Sequence, residues 1–191
     1  MNLENNLKKS YNDKDSWEWH LTFIGQMMQH NYYLYYTIDQ IMLNNDFFKG
    51  IVEIGTGNGA LTAVLGLWAI QKDIPILTVD HKKMFNTPIF EALNIKYLQE
   101  DEFGDVLRTA VKLFIKAVKG PVFFICDGGN KIDEFNYWAP LLPSGSIIAA
   151  HDWTTEIDMK SIKDTVDKYC TPYNSEGWNK MNIQFATFTI K

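Results

Sequence analysis

A chain of 191 residues with 18 Lys plus Arg against 23 Asp plus Glu, net charge −5, and 46% hydrophobic residues has the composition of one ordinary globular domain. No run approaches the ~20 apolar residues of a membrane span, and the acidic balance offers no broad cationic surface for nucleic-acid phosphates. Cys126 and Cys170 stand in no metal-ligand spacing and read as reduced thiols. The polar start around Glu4, Asn5, Asn6 and Lys8 lacks the apolar stretch of a secretion signal, so a cytoplasmic protein is expected.

The first sixteen residues are polar and predict a frayed start. From Trp17 to Asn45 the pattern predicts a helix with Leu34, Ile38, Ile41 and Met42 on one stripe. Residues 1–48 are thus expected as an N-terminal helical cap on a single domain, 1–191. Strands and helices then alternate. Ile51–Ile54 predicts a strand, followed by a glycine turn and a helix from Ala60 to Gln71. Pro75–Val79 predicts a strand ending at Asp80, Pro88–Leu93 a helix, and Ile95–Leu98 a third strand. Phe103–Lys119 predicts an amphipathic helix stopped by Gly120 and Pro121. Val122–Cys126 is a continuous apolar run, as in a strand covered on both faces. A helix over Lys131–Leu142, a strand over Ser146–Ala150, a helix over Ile157–Tyr169 and a closing strand over Ile183–Ile190 complete the series. This order predicts an α/β, doubly wound fold whose ligand lies beyond the carboxyl ends of the strands, where their order reverses.

The turn after the first strand is the densest signal. Glu53-Ile54-Gly55-Thr56-Gly57-Asn58-Gly59 has a glycine at every second position, which lets the backbone turn sharply and lie against a ligand. A pyrophosphate turn is spaced G-x-G-x-x-G, and a carboxylate at Glu53 would repel a pyrophosphate. Asp80, at the end of the second strand, suits two ribose hydroxyls. The alternatives are a plain tight turn and a solvated strand-end carboxylate.

The run from Glu53 to Gly59 resembles motif I of class I S-adenosylmethionine-dependent methyltransferases. The resemblance implies that Gly55, Thr56, Gly57, Asn58 and Gly59 wrap the methionine part of S-adenosylmethionine, and that Glu53 helps hold its ammonium group. It also puts Asp101 near the adenine amino group, although Glu100 and Glu102 make an acidic surface run an equal reading. Asp127-Gly128, with Trp138-Ala139-Pro140-Leu141-Leu142 and the segment to His151-Asp152, resembles the O-methyltransferase branch of cephalosporin-hydroxylase-like, macrolide-sugar and catechol-type enzymes. Ile24-Gly25-Gln26 is similar to the first of these groups. The likeness spans about Ile24 to Trp153, with Ser144-Gly145-Ser146 replacing a usual Gly-Gly pair. It implies a Rossmann-like methyltransferase fold with a mostly parallel seven-stranded sheet, helices on both faces and the last strand antiparallel. The implied activity is O-methylation, with a small-molecule or glycan acceptor and neither nucleic acid nor membrane as partner. The aromatic N-terminal helix is a candidate contact for a homo-oligomer.

Adjacent fourth and fifth strands, ~4.8 Å apart, would bring Asp127, which also borders the cofactor, together with His151 and Asp152 in one mouth. Two chemistries are open there. His151 can serve as the base beside Asp127. Alternatively, Asp127 and Asp152 with a third oxygen can hold Mg²⁺, for which His151 is a poor ligand. Lys131 and Asn130 either line the cavity or simply start a helix. Trp17, Trp19, His20, Tyr32, Tyr33, Tyr35 and Tyr36 are expected mainly to pack the helix onto the sheet, with a lid as the alternative. His30 and His81 receive no role. For the whole chain, a non-catalytic binding module of the same fold and an NAD(P)-dependent reductase are the competing readings.

Overall fold

The computed structural model describes residues 22–30, 32–101, 104–173 and 183–191. A hairpin of β1 (Thr22–Phe23) and β2 (Gln26–Met27) precedes α1 (Tyr32–Asn44). Then follow β3 (Gly50–Ile54), α2 (Ala60–Lys72), β4 (Ile76–Asp80), α3 (Thr87–Ala92), β5 (Lys96–Gln99) and α4 (Asp105–Val118). The second half holds β6 (Val122–Cys126), α5 (Lys131–Trp138), β7 (Ile147–His151), α6 (Met159–Tyr169), β8 (Cys170–Pro172) and β9 (Phe185–Ile190).

Seven strands form one sheet in the order β5-β4-β3-β6-β7-β9-β8. All pairings from β5 to β7 are parallel, and β9 runs antiparallel to both of its neighbours. The central strands read as uninterrupted apolar runs because helices cover both of their faces. Alternate residues sort to the two sides. Val52, Ile54, Val79, Phe124, Cys126, Ile148 and Ala150 share a core with Leu107, Val111, Phe135, Trp138 and Ile162 of α4, α5 and α6. Ile51, Ile76, Phe123, Ile125 and Ile147 face Leu34, Ile38 and Met42 of α1, Leu61 and Leu65 of α2, and Phe90 of α3. The chain winds outward from β3 through β4 to β5, then returns to lay β6 on the other side of β3. The strand order therefore reverses between β3 and β6. No helix among the described residues is long and apolar enough to cross a membrane.

Three departures from the sequence-based expectations have local causes. The helix expected from Trp17 begins at Tyr32, because Ile24 (φ 49°) and Gly25 (φ 74°) make the doubly left-handed turn that closes a two-residue hairpin. Residues 17–21 of that expected helix lie outside the described residues. The helix expected over 131–142 gives way after Trp138 to a 3₁₀ turn, Ala139–Leu141, at Pro140. Finally β8, a three-residue edge strand containing Pro172, follows directly on α6, where the sequence reading placed no element.

Candidate active site

The glycine loop is pinned between two strands. The Gly55 N–H donates to the Val79 carbonyl at 2.8 Å, and the Asp127 N–H donates to the Ile54 carbonyl at 2.8 Å. Gly55 has φ +94°, and a Cβ there would lie 2.1 Å from the Asp127 carbonyl oxygen, so no other residue fits without displacing β6. The loop opens on a cavity of about 330 Å³ at the reversal point, lined by Gly55, Thr56, Gly57, Asp80, Asp127, His151 and Asp152, together with Lys131, Gln29 and His30. The structure thus brings most of the sequence-predicted site residues to one place.

Asp80 stands on one side. Its Oδ2 accepts the Gly57 N–H at 2.8 Å and its Oδ1 accepts the Lys82 N–H at 3.0 Å. Asn58 borders the loop from outside, its N–H donating to Gln29 Oε1 at 2.9 Å. Gly59 is the left-handed N-cap of α2. Asp101 lies exposed beyond β5, away from the cavity lining, where its carbonyl accepts the Gly104 N–H.

Glu53 does not reach the cavity. It is fully buried on the α2 side of the sheet, where Oε2 accepts hydrogen bonds from Thr62 (2.5 Å) and Thr78 (2.6 Å). Thr78 in turn exchanges a 2.7 Å hydrogen bond with Thr56 of the loop. Burial outweighs these hydrogen bonds and pushes the Glu53 carboxyl up to about 8. Its Oε1 and the buried Tyr35 hydroxyl have no hydrogen-bond partner among the described residues, and both Tyr35 burial and the Glu53 charge hold that phenol proton more tightly than usual. Tyr35 belongs to the core, whereas Tyr33 and Tyr36 face outward.

On the other side, β6 and β7 end side by side as expected. His151 Nδ1 is 3.0 Å from Asp127 Oδ1 and 3.2 Å from Asp152 Oδ1, within ion-pair reach but in line for a hydrogen bond with neither. Burial alone would lower the His151 pKa, but the charges of Asp127 and Asp152 overcome it and raise it to about 9. Burial likewise opposes ionisation of Asp127, yet His151 and His30 hold its carboxyl well below the usual range. Asp152 is lowered first by His151 and then by Lys131.

Lys131, nearly fully buried, is a member of the cavity wall. Its Nζ donates to Asp152 (2.9 Å), Glu156 (2.7 Å) and the Gly128 carbonyl (2.9 Å), and these partners keep it charged despite burial. Asp152 takes φ +53°, tolerable for Asp, and its carbonyl gathers the N–H groups of Thr155 and Glu156, which aims Glu156 at the lysine. Asn130 caps α5 by accepting the Asp133 N–H.

His30, which the sequence left without a role, is the main addition. The segment after β2 places its Nε2 3.1 Å from Asp127 Oδ2 and its ring edge-to-face with His151, centroids 4.6 Å apart. The signal that could have found it is the Ile24-Gly25 turn, which folds this segment back over the loop. His81, the other histidine left unassigned, lies at the cavity rim with Nδ1 3.1 Å from Asp80 Oδ1.

No protein-family profile and no curated protein matches the sequence. Solved structures do match in fold. CmcI, in a structure with Mg and SAM, superposes with a TM-score of 0.70 over 92% of this chain and 79% of its own, at 14% identity. The mycinamycin-biosynthesis methyltransferase MycE, with Mg, SAH and mycinamycin VI, gives 0.56 at 16% identity over 81% of this chain and 48% of its own. A putative caffeoyl-CoA O-methyltransferase from Staphylococcus aureus gives 0.51 at 14% identity, over 83% of each chain. At these identities the likeness is one of fold: the chain has the Rossmann-like methyltransferase fold with its reversed final strand.

The residues present fit an adenosine-bearing cofactor, because the glycine bend and the Asp80 carboxylate line one open cavity at the strand-order reversal. They fit Mg²⁺ poorly. Lys131 holds Asp152 Oδ2, Asp152 Oδ1 lies 3.2 Å from His151 Nδ1, and the groups nearest Asp127 are two imidazoles, whereas Mg²⁺ seeks oxygen.

Proposed function

We propose that this chain is a methyltransferase that uses S-adenosylmethionine to methylate a hydroxyl oxygen of a small molecule or sugar. The observation carrying it is the Gly55–Gly59 bend, which opens at the strand-order reversal onto a cavity with Asp80 on one side and Asp127 with His151 on the other. Bound there, the cofactor supplies an electrophilic methyl group on a sulfonium.

The protein's own part is recognition and alignment. Each Asp80 oxygen already takes one backbone N–H; Oδ2 retains a lone pair for a ribose hydroxyl, and Oδ1 gains one when the exposed His81 ring turns away. Asp101 is the candidate for the adenine end. Thr56, Gly57 and Asn58 present backbone toward the methionine part. Glu53 serves as a positioning residue beneath the loop, acting through Thr78 and Thr56 rather than touching the cofactor. Asp127 accepts the hydrogen bond of the acceptor hydroxyl, which His151 helps to orient, and would take the proton that the hydroxyl gives up as its oxygen gains the methyl group, so that alignment supplies most of the rate. Lys131 fixes Asp152 at the rim of that mouth.

Calorimetric titration with S-adenosylhomocysteine and, separately, NAD tests this reading. Binding of the former alone is expected, weakened ~10-fold or more by Asp80→Ala, which removes two strong hydrogen-bond acceptors from a buried seat. Binding of NAD alone, or an Asp80→Ala protein that binds as wild type, contradicts it.

A further inference from the structure

We infer that His30, Asp127 and His151 form a two-histidine, one-carboxylate site for a nitrogen-seeking divalent ion of the Zn²⁺ or Co²⁺ class, in preference to Mg²⁺. Three separate elements deliver the donors: the segment after β2, the end of β6 and the end of β7. One donor atom from each lies within 4.8 Å of the other two. The contacts His30 Nε2 to Asp127 Oδ2, 3.1 Å, and His151 Nδ1 to Asp127 Oδ1, 3.0 Å, match donor spacing in a coordination sphere. Adjacent ligands at ~2.1 Å from one ion sit roughly 3 Å apart.

Two further observations point the same way. His151 Nδ1, the ring nitrogen that faces Asp127, is buried and has no hydrogen-bond partner among the described residues. The surrounding charge also suits a dication. Asp127, Asp152 and Glu156 are three carboxylates against the ammonium of Lys131, so once an ion takes the place of the proton on His151 the cluster carries two negative charges. Lys131 draws Asp152 aside and leaves Asp127 with the two histidines as the nearest donors. Imidazole nitrogen is the ligand of zinc, iron, cobalt, nickel and copper, while Mg²⁺ favours carboxylate, carbonyl and water.

This goes beyond the methyl-transfer reading, since ion binding is measured without cofactor or acceptor. Chelator-treated protein is titrated with ZnCl₂, CoCl₂ and MgCl₂ by calorimetry, and the Co²⁺ form is followed by its visible absorption. One Zn²⁺ or Co²⁺ per chain is expected, bound ~100-fold or more tightly than Mg²⁺. His30→Asn and His151→Asn should each weaken Zn²⁺ by ~10-fold or more, with circular dichroism verifying the fold. If a variant unfolds, the side-chain ¹⁵N resonances of the wild-type protein decide, because Zn²⁺ should shift those of His30 and His151 and leave those of His81 in place. Mg²⁺ binding as tight as Zn²⁺, no binding of either, unchanged Zn²⁺ affinity in a folded His30→Asn protein, or unshifted His30 and His151 resonances would each overturn the assignment.

Discussion

Replacing Glu53 by Gln should stabilise the protein at neutral and alkaline pH, although it alters a buried residue of the most informative loop. The carboxyl titrates near 4.5 when exposed and at about 8 in the fold, because burial disfavours its charge. A group that binds its proton more tightly when folded gives stability that is fully present below the unfolded value and lost as pH rises through the folded one. Within that window each pH unit costs the fold ~1.4 kcal/mol, so crossing it costs about 4 to 5 kcal/mol, a large part of the 5–15 kcal/mol typical of a domain. Glutamine keeps an oxygen to accept from Thr62 and Thr78 and cannot ionise. Urea unfolding of both proteins at pH 5, 6, 7 and 8 measures the effect. The difference should be small at pH 5 and grow in favour of Glu53→Gln by several kcal/mol at pH 8. Parallel curves, or a variant that loses ground as pH rises, refute the claim that Glu53 is held neutral by burial.

Two other substitutions follow from the same geometry. Gly55→Ala drives a methyl group to within 2.1 Å of the Asp127 carbonyl at φ +94° and should cost ~3 kcal/mol or more, read as a lowered denaturation midpoint together with loss of S-adenosylhomocysteine binding. Lys131→Met keeps the volume but takes the cation from Asp152 and Glu156, which water reaches in part, and should cost ~1 kcal/mol or more in the same unfolding assay. A Lys131→Met protein of wild-type stability would show that the ion cluster is solvated rather than structural.

Much of the sheet was legible because its signals are local. Val122–Cys126 matched β6 residue for residue, since five consecutive apolar side chains buried on both faces leave little choice of register. The Gly55–Gly59 spacing located the cavity, and Asp127, His151 and Asp152 met as the strand order required. What escaped depends on contacts distant in sequence. The Thr22–Met27 hairpin hid inside an aromatic stretch of helical periodicity, and with it went His30, whose partner Asp127 lies 97 positions on. β8 is three residues long and exists only by pairing with β9. Glu53 pointed away from the expected ligand for a reason that strand alternation does encode: it shares a sheet face with Ile51 and pairs in register with Thr78, beneath α2.

The central claim is that the bend beginning at Gly55 seats the nucleoside of a sulfonium cofactor. A crystal structure of the chain grown with S-adenosylhomocysteine tests it most directly. The account predicts ribose hydroxyls on Asp80, backbone of the Gly55–Gly59 loop against the amino-acid part, and the sulfur turned toward Asp127 and His151. A nucleoside bound elsewhere, or a glycine bend filled by the protein's own side chains with saturating ligand present, would contradict it.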